Sequence, residues 1–215
     1  MHRVLVAVVA VVAALGCNCA RAADLLSDAP EERYFEPTKV EFPPTYVDAL
    51  RVWKTALEIN QWIGARFEYD PARAMRLSET QRSLSGGLPI HKPDDFFSDP
   101  RGICVDLSRF AVETLRTIAP HSRSSYLMIE FAPLAVAGNT LRRHWLAMYV
   151  DKGSYFFFAD SKRPGHVAGP YQSITEFIDA YAKYSRRQII SFRELDSFQR
   201  KTRNAAGKQP REARP

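Results

Sequence analysis

The sequence predicts an α+β fold, with helices first and an antiparallel β-sheet after them. Three observations lead there. Apolar residues recur at three- and four-residue steps after Thr45 and again after Cys104, the period of a buried helix face. From Ser124 onward the chain turns to short runs rich in Tyr, Phe, Ile and Val, bounded by Gly138-Asn139 and Asp151-Lys152-Gly153. Strands that follow one another through short turns pair antiparallel, and helices grouped ahead of them pack on the sheet.

The chain starts with Met1-His2-Arg3 and an unbroken apolar and small run from Val4 to Gly16. A short charged start and an apolar stretch of this length have the form of a secretory signal peptide. Ala20-Arg21-Ala22 fits a small-x-small cleavage site, so residues 1–22 are expected to be removed and the mature chain to start at Ala23. Ala14-Leu15-Gly16-Cys17 also resembles a lipobox with imperfect first positions, which leaves a lipoprotein anchored through Cys17 as the alternative. The expected location is periplasmic or secreted, with no integral membrane span.

Residues 23–44 are acidic and carry Pro30, Pro37, Pro43 and Pro44, an extended lead-in. The domain is expected over 45–196. Its first helix runs from Thr45, with Val52, Ala56, Ile59, Ile63 and Phe67 on one face and Trp53 and Leu57 widening the stripe, until Asp70-Pro71. Residues 71–100 are mostly polar and proline-dotted, a surface excursion with a helical turn or two. The next helix opens near Cys104 and carries Leu107, Ala111, Leu115 and Ile118 on one face before Pro120. Strands follow at Ser124–Phe131, His144–Val150 and Ser154–Asp160. After a glycine-bearing loop, Ser173-Ile174-Thr175-Glu176 is a capping box for a helix through Tyr184. Gln188–Arg193 is the last strand, and residues 197–215 form a basic tail of disordered composition.

The net charge of +6 misleads about partners. The leader contributes +2 and the tail +5, which leaves −1 for residues 23–196. A nearly neutral domain gives no footprint for nucleic acid. The basic tail is the part suited to contact with the cell envelope.

Of three cysteines, Cys17 and Cys19 lie in or beside the leader, so Cys104 has no partner for an internal disulfide. A free thiol in an exported chain has two readings, a small buried hydrophobe or a nucleophile. Its setting, Arg101-Gly102-Ile103-Cys104-Val105-Asp106-Leu107, puts it in the first turn of a helix, where unpaired amides favour a thiolate and can serve an oxyanion. Asp106 works against a thiolate and is read as structural. His144 opens one strand and Asp160 ends another. With Asp151-Lys152-Gly153 as a three-residue loop, Val150 pairs with Ser154, Met148 with Phe156 and His144 with Asp160. Opposed residues share a face with Cβ atoms roughly 5 Å apart, so the carboxylate would hold the imidazole. A two-residue loop would put Asp160 on the other face. Each residue taken alone also has a plainer reading: a strand-end His as a surface residue, an Asp as a turn former. No His, Cys or carboxylate pair shows close metal-ligand spacing, so neither metal nor cofactor is expected.

These residues together resemble the transglutaminase-like superfamily of cysteine enzymes, including bacterial transglutaminase-like cysteine peptidases. The resemblance runs over roughly residues 50–165: a helix ending in Phe67-Glu68-Tyr69-Asp70, Gly-x-Cys-x-Asp at Gly102–Asp106, a strand with His144-Trp145, and a strand ending in Asp160. It departs from the family in having Trp145 directly after His144, and Ser161-Lys162 after Asp160. It implies a papain-like, transglutaminase-like core in which Cys104 is nucleophile, His144 general base and acid, and Asp160 the orienting group. The implied function is cleavage or transfer of an amide or peptide bond through an acyl-enzyme, on a protein or peptide substrate. The alternatives are a transamidase with an amine acceptor, and a catalytically silent transglutaminase-like module that binds a cell-envelope component.

Overall fold

The computed structural model describes residues 28–34, 41–85 and 88–199. The leader with Cys17, and the tail beyond Gln199, lie outside the described residues. The elements in order are α1 (Tyr46–Val52), α2 (Ala56–Arg66), β1 (Glu68–Tyr69), α3 (Pro71–Arg76), α4 (Glu79–Ser85), α5 (Pro93–Ser98), β2 (Arg101–Gly102), α6 (Cys104–Ile118), β3 (Arg123–Val136), β4 (Asn139–Asp151), β5 (Ser154–Phe158), β6 (Ala168–Tyr171), α7 (Ile174–Ser185) and β7 (Ile189–Leu195). The fold is α+β. A five-stranded antiparallel sheet of order β6-β5-β4-β3-β7 is covered by helices on both faces.

Two local rules divide the N-terminal half differently from the expectation. The single helix expected after Thr45 is two helices. Thr55 breaks it with a capping box: its N–H donates to Glu58 Oε2 at 2.9 Å, and the Glu58 N–H returns to its hydroxyl. The break turns Val52 and Leu57 outward, each 55% exposed, while Trp53 and Trp62 go into the core. Residues 71–100 are likewise no mere excursion but α3, α4 and α5. Pro71 and Pro93 each sit in a first helical turn, where a missing N–H does no harm. Asp70 both ends one element and caps the next, accepting from the Arg73 N–H at 2.9 Å.

The core lies on the two faces of the sheet. On one, α6 lays Leu107, Ala111 and Leu115 beside Trp62, Phe96 and Phe110 and against Tyr126, Ala147 and Phe158. On the other, Phe177, Ile178 and Tyr181 of α7 cover Leu127, Leu146, Met148 and Phe157. Burying an aliphatic or Phe side chain is worth about 1.5–3 kcal/mol, so these layers supply most of the driving force. Ser173 caps α7 by accepting from the Glu176 N–H, whereas Glu176 reaches back to the N–H of Gln172, one residue before the position a capping box would use. Phe198 packs edge-on against Tyr126 and under the Arg109 guanidinium, so the start of the basic tail lies on the domain.

The β4–β5 hairpin does not have the expected register. Asp151 pairs with Ser154, Val150 with Tyr155, Met148 with Phe157 and Ala147 with Phe158. The loop is the two residues Lys152-Gly153, with φ of 47° and 82°, the left-handed pair of a tight hairpin. Among the described residues, no helix is long and apolar enough to cross a membrane.

Candidate active site

Cys104 is the first residue of α6 and is 4% exposed. Asp106 accounts for how the helix starts there. Its fully buried carboxylate accepts from Arg73 Nε and Nη2 at 2.7 Å each, from the His91 N–H at 2.9 Å and from the Ile103 N–H at 3.1 Å. Ile103 has no side-chain acceptor of its own, so Asp106 serves the helix end in place of an N-cap. This is the structural role expected of Asp106. Through Arg73 and His91 it also fastens the 71–100 segment to the helix that carries Cys104. Gly102 is required beside it: a Cβ there would stand 2.9 Å from Phe96 and 3.0 Å from Asp106.

Alternation along β4 puts His144 on the α7 face with Leu146 and Met148, and Trp145 on the α6 face with Ala147. The imidazole is fully buried and stacks on Tyr181, with ring centroids 5.7 Å apart. Its Nε2 lies 3.0 Å from Asp160 Oδ1. By register alone Asp160 would miss this face. It reaches it because β5 stops at Phe158 and Ala159 takes a left-handed conformation, φ 57°, which swings the next residue across. The expected His144–Asp160 contact is thus present, though not by the expected three-residue loop. Asp160 further accepts from the Lys162 N–H at 3.0 Å and from Arg163 Nε at 3.1 Å.

Cys104 meets His144 where β5 has ended. Beyond Ala147 only β3 pairs with β4 among the described strands, and the Trp145 N–H is directed to Cys104 Sγ. The thiol, an imidazole nitrogen of His144 and the Asp28 carboxylate lie within 4.8 Å of one another. The structure therefore brings together all three residues singled out in the sequence, and adds Asp28, which the lead-in concealed. The Cys104 thiol donates to Asp28 Oδ2 at 3.5 Å, and Asp28 Oδ1 is 3.3 Å from both His144 Nδ1 and Arg187 Nη1. The Nδ1 contact has ion-pair distance but not hydrogen-bond direction. No sequence spacing marks Asp28. Its only sign was the acidic character of a segment that had no evident need of it.

The charges form one set. Burial pushes the Cys104 thiol up to about 11 and the Asp28 carboxylate adds to this, while His144 pulls it down. Burial opposes a charged His144, but the stacked Tyr181 and the carboxylates of Asp28 and Asp160 prevail, and its pKa is raised well above the ordinary histidine value. Asp28 is held at about 2 against burial, by His144, Arg187 and Lys162. Asp160 is also lowered against burial, by His144 and Arg163. The resting site is a neutral thiol beside an imidazolium–carboxylate pair, with Asp28 as the anion where a thiolate would stand.

Tyr69 lines the cleft at Cys104, and its hydroxyl meets the Asp28 backbone. The cleft holds about 350 Å³, is walled by Leu77, Leu88, Ile90 and Leu141, and leads to Cys104. Asp28, Cys104 and His144 are also the described groups that could hold a cation, brought together by the fold and not by local spacing. The Arg187 guanidinium, 3.3 Å from Asp28, opposes a dication there.

Searches of protein families and of curated proteins find no match to the chain. The geometry above therefore carries the functional reading.

Proposed function

We propose that the protein is an exported thiol enzyme of transglutaminase-like type, with a papain-like core, that cleaves amide or peptide bonds through an acyl-enzyme. One observation carries this reading: a buried histidine is held by Asp160 on one nitrogen and turns the other toward a cysteine in the first turn of a helix. Asp28 is one of the anions that keep His144 charged; once it has left, the imidazolium gives its Nδ1 proton to water, and Nδ1 then takes the thiol proton. The thiolate attacks the substrate carbonyl carbon, and a C–S bond forms as the C=O pair moves to oxygen. Backbone amides at the start of α6 face that oxyanion. As the intermediate collapses, the C–N bond breaks and the imidazolium gives its proton to the leaving amine. Water then attacks the thioester with His144 as base, which frees the acid and restores the thiol. Water is the acceptor favoured here, as the default nucleophile that resolves a thioester. An amine in its place would give transamidation.

A second reading is a silent module that binds a cell-envelope component. The observation favouring it is Asp28 itself, which keeps the thiol protonated. The pH dependence of iodoacetamide labelling of Cys104 separates the two. In Asp28→Ala the enzyme reading expects fast labelling below pH 7 that His144→Ala abolishes or shifts upward. Labelling like an ordinary thiol, indifferent to His144, would leave the binding module.

A further inference from the structure

Asp28 belongs to an arm that is built into the domain. The N–H groups of Glu31 and Tyr34 donate to the carbonyls of Lys162 and Pro164 at 2.9 Å. Glu31 pairs with the buried Lys162 at 2.6 Å and accepts from the Tyr184 hydroxyl at 3.0 Å. Arg33 donates to the carbonyls of Gly64 and Phe67 at 2.7 and 2.8 Å, capping the end of α2. Gly64 and Gly165 leave room for it: a Cβ on either would stand 2.9 or 1.8 Å from the Tyr34 carbonyl oxygen. Six anchors of this kind fix which atoms of Asp28 face the catalytic groups.

Those atoms are divided by chemistry. Oδ2 faces the nucleophile, and Oδ1 faces two cations, His144 and Arg187. Arg187 is aimed by the fold. Arg186 ends α7 in a left-handed conformation, φ 52°, and the Arg187 guanidinium lies 4.4 Å from the Phe131 ring centre with its side chain 7% exposed. A guanidinium fixed in a buried site matches a carboxylate in charge and shape. A carboxylate is also a poor acyl donor, so Asp28 can rest against the thiol without being attacked.

We propose that residues 28–34 are a pseudosubstrate arm, in which Asp28 occupies the place of a substrate carboxylate and Arg187 is the residue that recognises it. The site then takes acyl compounds with an anionic group beside the scissile carbonyl, such as acidic residues of a peptide, and opens when the arm withdraws. This rests on the thiol-enzyme reading.

Two alkylating probes of one shape test it: iodoacetate carries the carboxylate and iodoacetamide does not. Their rates with Cys104 are compared in the full mature chain, in Asp28→Ala and Asp28→Asn, and in each combined with Arg187→Gln. The expected result is faster labelling by both probes in the Asp28 variants. The iodoacetate-to-iodoacetamide ratio should rise about tenfold over the parent chain and fall back with Arg187→Gln, the scale of one charge-assisted hydrogen bond. Labelling that Asp28 substitution does not accelerate would overturn the arm. A ratio indifferent to Arg187 would overturn the carboxylate subsite. Either failure differs from that of the enzyme reading, which shows as iodoacetamide labelling of Asp28→Ala that ignores His144.

Discussion

His144 and Asp160 meet at 3.0 Å across two strands whose register sets them one residue out of step. Ala159, fully buried and left-handed, closes that gap. A left-handed turn is costly for a β-branched side chain. Ala159→Val should lose about 1–2 kcal/mol of stability and slow His144-dependent labelling of Cys104, whereas Ala159→Gly should keep both within about 1 kcal/mol of the parent. Urea unfolding and iodoacetamide kinetics on the three proteins check this.

Asp160 holds more than the imidazole. Its removal leaves His144 and Arg163 facing a buried vacancy, and breaking a buried ion pair from one side costs about 3–5 kcal/mol. Asp160→Ala should lose stability on that scale in denaturant unfolding. An Asp160→Ala protein as stable as the parent would mean that the carboxylate is not paired as described.

Arg73 and Asp106 form the second buried pair, with side chains 7% and 0% exposed. Arg73→Met leaves Asp106 with only two backbone donors and loosens the wall of the cleft. A loss of about 3–5 kcal/mol is expected by urea unfolding, together with faster proteolysis within residues 71–100.

Stability should fall on both sides of a plateau. The His144 contribution is fully present below its unfolded pKa of 6.5 and is lost as pH rises through its raised folded value. The Asp28 contribution is present above its unfolded 3.8 and is lost as pH falls through about 2. Thermal unfolding scanned from pH 2 to 10 should therefore lose its alkaline limb in His144→Ala and part of its acid limb in Asp28→Asn. An unchanged alkaline limb in His144→Ala would place the titrating group elsewhere.

Gly64→Ala acts on the arm from outside the site. The new Cβ meets the Tyr34 carbonyl and the Gly165 backbone, while α2 itself gains about 1 kcal/mol of helix propensity. The expected outcome is faster iodoacetamide labelling of Cys104 with little change in the unfolding midpoint.

By itself the sequence determined the class of fold and the three chemical groups. The period-3.6 face of α6, the capping Ser173 and the strand runs after Ser124 are local signals, set by which side chains one element turns to its neighbour. They carried Cys104, His144 and Asp160 into one short argument. The tertiary structure decided everything that depends on contacts between distant segments. Thr55, Pro71 and Pro93 divided residues 46–98 into short helices that only packing makes stable. A two-residue loop and Ala159 set the real path from β4 to Asp160. Asp28 and Arg187, 159 residues apart, became partners because the arm folds back over the end of α2. A carboxylate without local neighbours shows no pattern in sequence. Its role comes from the thiol, imidazole and guanidinium that the fold brings around it.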